Sequence, residues 1–145
     1  MDDETIKVHG LKSGDVIGPY EWHPTTIQLF RFSAVTWNAH RIHYDQAYAR
    51  EEGYADVLVQ SHLHGCFLAH SVLAWAGPDA RLIRFRWENR HFAVPGDVLT
   101  VTGSVTLVDG NQVTCELQEV NQEGRLCAPA WATLELPSSG RGGVG

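Results

Sequence analysis

Between Val57 and Pro78 the chain carries no Lys, Arg, Asp or Glu. Inside that stretch Leu63, Phe67, His70 and Ala74 recur at helical spacing, with Cys66 and Leu73 widening the apolar stripe. The spacing predicts a helix from about Ser61 to Ala76, with Ser61 as its N-cap and Gly77-Pro78 as its stop. A helix with no charge has no face suited to water, so this one is expected to be buried nearly all round. The rest of the chain must then supply a wrapper.

Long alternating segments suit that task. Arg81 to Phe92 sets Ile83, Phe85 and Trp87 against Arg84, Arg86 and Glu88, the alternation of a strand with two unlike faces. After the turn Pro95-Gly96-Asp97 come strands Val98–Val108, Gln112–Asn121 and Leu126–Leu136, joined by Asp109-Gly110-Asn111 and Glu123-Gly124. These three form an antiparallel meander. Upstream, residues 1–25 are irregular, rich in Gly and Pro, with room for a short edge strand. The β-branched and aromatic run Thr26–Thr36, with Ile27 and Leu29 alternating with Gln28 and Arg31, reads as a further strand. Asp45 can cap a short helix Gln46–Glu52 that Gly53 ends. The expected class is α+β, a single domain over residues 1–137, with residues 138–145 a Gly- and Ser-rich disordered tail.

Bulk properties exclude several functions. The 145 residues suffice for one core, and a net charge of −6 with no basic run disfavours a nucleic-acid partner. No apolar segment approaches the roughly 18 residues of a membrane span. The acidic start Met1-Asp2-Asp3-Glu4 has no apolar signal segment, so a cytoplasmic location is expected. Cys66, Cys115 and Cys127 are odd in number and widely spaced, which argues for free thiols rather than a disulfide framework.

The polar chemistry is concentrated from Trp37 to Asp45, where amide, imidazole and carboxylate groups follow an apolar run. An imidazole at the border of a core is easily tuned across neutrality. His40 with His43, and His62 with His64, invite a metal, but no Cys or carboxylate stands at ligand spacing beside them, so no metal is expected. No glycine-rich nucleotide loop is present, and no cofactor is implied. Asp45 reads as a helix cap, and Arg84 and Arg86 as a solvated strand face.

Thr36-Trp37-Asn38-Ala39-His40-Arg41-Ile42-His43-Tyr44-Asp45 resembles the signature of the MaoC-like dehydratases, the (R)-specific enoyl-CoA hydratases, approximately Ser-Gly-Asp-x-Asn-Pro-x-His-x-Asp. It is more similar to a branch reading Phe-Asn-x-His-Arg-Ile-His-Tyr-Asp, found in mesaconyl-CoA hydratases and in dehydratase domains of type I fatty-acid synthases. Asp56–Gly65 and Phe92–Leu99 resemble two further family segments in the same order, so the likeness covers about residues 26–108. It implies a hotdog fold, a sheet curled round one central helix. It also implies an acyl-CoA or acyl-thioester substrate, reversible hydration of an enoyl thioester, and a homodimer with its acyl tunnel near the interface. An open sheet edge would itself favour dimerisation.

Carried over by position, His43 stands at the catalytic histidine and Asn38 where the signature has an acid. A carboxamide cannot take a proton from water but can orient it. Backbone N–H groups of Ser61, His62 and Leu63 would suit a thioester oxyanion, being unpaired and at the positive end of the helix dipole. His62 and His64 are candidate pocket linings, and Arg41 a candidate contact for a dicarboxylic acyl group. A hotdog acyl-CoA thioesterase is an alternative; it would want a carboxylate on the central helix, which has none. A non-catalytic acyl-thioester-binding subunit is another.

Overall fold

The computed structural model describes residues 10–137; the expected tail at 138–145 lies outside the described residues. In chain order the elements are β1 (Val16–Trp22), α1 (Thr26–Thr36), a 3-10 turn (Arg41–His43), α2 (Gln46–Glu51), α3 (Ser61–Ala76), β2 (Arg81–Trp87), β3 (Leu99–Asp109), β4 (Gln112–Val120) and β5 (Leu126–Glu135). The strands make one five-stranded sheet in the order β1-β3-β4-β5-β2, antiparallel throughout. The central meander turns as its sequence requires: Asp109 pairs with Gln112 across a tight turn in which Gly110 takes φ +60°.

Helix α3 lies on one face of this sheet. Leu68, Val72 and Ala76 pack onto Val101 and Val105 of β3, Val113, Cys115 and Leu117 of β4, and Ala130, Ala132 and Leu134 of β5. The alanines on β5 are small, which lets a 16-residue helix settle close to the strands. Closest of all is Trp87, whose ring occupies the space where a side chain at Gly65 would stand. A second cluster joins Leu29 of α1, Ala49 of α2, Val57 and Val59 of the irregular strap 54–60 between α2 and α3, and Leu63 and Phe67 of α3. The buried thiols belong to this apolar interior: burial pushes Cys115 up to about 12, and burial with the nearby Glu119 carboxylate pushes Cys127 up to about 11.

Four expectations need correction. Thr26–Thr36 is a helix, not a strand: Thr25 caps it by accepting the Gln28 N–H at 3.1 Å, and Leu29 and Ser33, one turn apart, make its buried face. The cap pattern Thr25-x-x-Gln28 was the local signal for it. Helix α3 is not buried all round, because the sheet covers one side only; His62, Cys66, His70 and Ala74 form an exposed stripe. Its N-cap is Gln60 rather than Ser61, and no side chain caps it. Strand β2 ends at Trp87 rather than Phe92, although Glu88 and Arg90 still donate N–H bonds to Pro129 and Cys127 of β5. The remaining boundaries hold within a residue or two, and Asp45 caps α2, its carboxylate accepting from Tyr48 N–H at 3.1 Å. Among the described residues no helix is long and apolar enough to cross a membrane.

Candidate active site

Helix α1 ends where Trp37 enters the left-handed region at φ 57°, which throws the chain into a compact polar loop. Asn38 N–H bonds back to the Ser33 carbonyl at 2.9 Å, and its own side-chain oxygen accepts the His40 N–H at 3.2 Å. His40 Nδ1 in turn accepts from Ile42 N–H at 3.2 Å, which opens the 3-10 turn carrying His43. Asn and His at these places build successive local caps, the behaviour that draws such residues to turns.

His43 Nδ1 lies 2.8 Å from the carbonyl oxygen of Leu58. A carbonyl can only accept, so Nδ1 carries the hydrogen and Nε2 keeps its lone pair. Burial lowers the pKa below its ordinary 6.5, partly countered by the Leu58 bond and aided by the neighbouring His40. The ring is therefore uncharged at neutral pH, its basic nitrogen free.

Arg41 turns away from this core. It is exposed, bonds Asp45 through Nε at 3.0 Å and a terminal nitrogen at 2.7 Å, and lies 4.6 Å over the Tyr48 ring. Asp45 raises the Arg41 pKa, and Arg41 with the Tyr48 N–H holds the Asp45 carboxyl below its usual range. Arg84 and Arg86 are exposed on β2, Arg86 lying 4.1 Å over Trp131.

The first turn of α3 divides the other four candidates. Leu63 and His64 donate N–H bonds to the Gln60 carbonyl, so the N–H groups of Ser61 and His62 precede the helical ladder. Leu63 is buried in the second core cluster. The exposed His62 stands edge-on to Trp87, whose indole N–H bonds the Ser61 carbonyl at 3.1 Å. His64 points the other way and is fully buried, hydrogen-bonded through Nδ1 to the equally buried Glu119 of β4. The two histidines thus lie on opposite sides of the helix and do not converge.

Two buried residues of this region were not anticipated. Glu119 was legible in principle: it continues the inward series Val113, Cys115, Leu117, a charge in a core position. Gln60, only 1 % exposed, sends its carboxamide N–H groups to the Leu29 carbonyl at 2.7 Å and the Ser33 hydroxyl at 2.9 Å. Only the tertiary fold brings that carboxamide to α1. Beside the loop, a mainly apolar cleft of about 220 Å³ is lined by Phe30, Ser33, Ala34, Trp37, Asn38, Ala39 and Tyr44.

A five-stranded antiparallel sheet laid over one long helix, with a histidine turn anchored just ahead of that helix, defines a hotdog-fold protein. The chain belongs to the hydroxyacyl-thioester dehydratase type 2 family, whose sequence pattern it matches over residues 9–94. Among solved structures it is similar to the (R)-hydratase PhaJ1 from Pseudomonas aeruginosa, with 21 % identity, a TM-score of 0.87, and 93 % of this chain and 88 % of that chain covered. The (R)-hydratase from A. caviae involved in PHA biosynthesis gives 18 % identity and a TM-score of 0.82 over 88 % and 98 % of the two chains. The ChsH1–ChsH2 complex from Mycobacterium tuberculosis gives 21 % and 0.80 over 87 % and 98 %. At such identities these likenesses establish the fold. A mesaconyl-C(4)-CoA hydratase from Chloroflexus aurantiacus is 64 % identical over 36 residues, which span 24 % of this chain and 13 % of that enzyme.

Proposed function

We propose that the protein is a hydro-lyase that hydrates an enoyl thioester, or in reverse dehydrates a 3-hydroxyacyl thioester, with His43 as the proton carrier. One observation supports this most: the Leu58 carbonyl fixes the His43 tautomer and leaves an uncharged, basic Nε2 at neutral pH. In hydration, Nε2 takes a proton from water as the oxygen bonds to the β-carbon. Negative charge moves to the thioester oxygen, where the Ser61 and His62 N–H groups would hold it. Nε2 then delivers the proton to the α-carbon. The proton count closes on one residue, so Asn38 need not ionise; its role is to orient water or thioester by hydrogen bonding.

The absence of Asp and Glu from α3 weighs for this chemistry over a thioesterase. A short or dicarboxylic acyl group, with Arg41 as its contact, fits the local likeness to a mesaconyl-C(4)-CoA hydratase. That role requires Arg41 to exchange its bond to Asp45 for one to substrate. A homodimer would cover the α3 stripe and complete a pocket near His43, which the cleft beside the loop does not include. The test is a panel of enoyl-CoA substrates followed by loss of the enone absorbance. Wild type should turn over at least one, and His43→Ala should lose about 10²- to 10⁴-fold in rate. Hydration that persists in His43→Ala would refute the assignment.

A further inference from the structure

The proposed chemistry needs parts from two places: the loop carrying Asn38 and His43, and the first turn of α3. Both are held by two residues of the strap that precedes α3, Leu58 and Gln60. Leu58 donates its N–H to the Ile42 carbonyl at 3.0 Å and accepts His43 Nδ1 on its own carbonyl. Gln60 makes the other connection. Its main-chain carbonyl receives the N–H groups of Leu63 and His64 and so starts the helix. Its side chain reaches across to α1 and gives both amide hydrogens to Leu29 and Ser33.

Ser33 is the residue from which the loop hangs. Its carbonyl receives the N–H groups of both Trp37 and Asn38, and the Asn38 side chain then holds His40. A continuous run of hydrogen bonds therefore leads from the α3 N-terminus through Gln60 and Ser33 to Asn38 and His40. The run is protected from water where it matters, with Gln60 1 % and Ser33 6 % exposed. We infer that Gln60 is a positioning residue, whose carboxamide sets the distance between the Asn38–His43 loop and the first turn of α3. The inference rests on the hydro-lyase reading for its effect on rate, though its effect on the loop does not.

The chemistry of the group makes this specific. Both partners on α1 are used as acceptors, so the position needs two donors on one flat head, which among neutral side chains Asn and Gln supply. Methionine matches glutamine in length and lacks donors altogether. A buried acceptor on Leu29 can fall back on its helical bond, so Gln60→Met removes the tether with little damage to α1 itself.

Steady-state kinetics of Gln60→Met and Ser33→Ala on the best enoyl-CoA, together with amide hydrogen exchange, test the inference. Gln60→Met should lose about 10- to 100-fold in kcat, because a misplacement near 1 Å costs on that scale. Its KM should stay within about twofold of wild type, and its Asn38 and His40 amides should exchange faster while those of β4 do not. Ser33→Ala removes one of the two acceptors; should Gln60→Met not fold, this variant decides, with a smaller kcat loss and faster Asn38 exchange expected. Unchanged kcat and unchanged Asn38 exchange in a folded variant would overturn the inference. A wild type inactive on every enoyl-CoA would instead defeat the hydro-lyase reading, and the exchange rates would still judge the tether.

Discussion

Replacing Gly65 by alanine sets two known effects of opposite sign against each other. Within a helix, Gly→Ala stabilises by about 0.5–1 kcal/mol through backbone entropy. At this site the new Cβ would stand 2.7, 2.9 and 3.0 Å from Cε2, Cδ2 and Cζ2 of Trp87. Ordinary carbon contacts begin at about 3.5 Å, so the indole must retreat by roughly 0.8 Å. That ring is not free to drift, because its N–H is bonded to the Ser61 carbonyl at 3.1 Å and its backbone pairs with Ala130. Losing the indole bond costs about 1 kcal/mol, and overpacking a buried contact about 1–3 kcal/mol. The helix-propensity gain offsets part, leaving a net destabilisation of about 1–3 kcal/mol. For a chain of this size that is a fall in Tm of roughly 3–10 °C. Thermal unfolding by circular dichroism reads it directly. In a Trp87→Val background the three clashing atoms are gone, and Gly65→Ala should become neutral or stabilising by up to about 1 kcal/mol. A rise in Tm in the native background, or an equal fall in both, would show that Trp87 does not set the limit at this helix.

Three further outcomes follow from groups whose environment is unusual. Burial lowers the His43 pKa, so the base keeps its lone pair to a lower pH than an unperturbed histidine, and the acid limb of a kcat/KM profile should have its midpoint below about 6.5. The same shift acts on stability with a definite sign. The unfolded chain binds this proton more readily than the folded one, so the group's contribution falls as pH drops through about 6.5 and levels off below the folded pKa. Urea titrations of wild type and His43→Gln between pH 5 and 8 should differ in that window; parallel curves would refute it. For the buried pair, His64→Leu or Glu119→Leu alone should cost about 3–5 kcal/mol, since each strands a fully buried polar partner, whereas the double change should cost clearly less than the sum. Strict additivity would mean the two side chains do not rely on one another.

Much of the scaffold was written in local pattern. The helical period of the uncharged stretch and its Gly77-Pro78 stop marked α3 to the residue, although one stripe of that helix stays exposed. Glycine-bearing turns placed the meander, and the loop residues from Asn38 to Asp45 were recognisable because their polar side chains form local caps. Thr26–Thr36 was misread for an equally physical reason. β-Branched residues at both ends of the run (Thr26, Ile27, Val35, Thr36) with Phe30 and Phe32 between suit a strand, yet Ile27, Phe30 and Val35 lie exposed on the outer face of the helix. The choice fell to a cap at Thr25 and to burial of Leu29 and Ser33 together.

Sequence alone therefore settled the α+β class, the meander and the central helix, because periodicity and turn residues within short windows carry them. Only the tertiary structure decided what those parts face. It put Gln60 beneath α1, closed Glu119 onto His64 from 55 residues away, and left one stripe of α3 open. Periodicity can place Glu119 on an inward face, but nothing in the sequence pairs it with His64 or Gln60 with Leu29 and Ser33. The geometry of those pairs exists only once sheet and helix have been packed together.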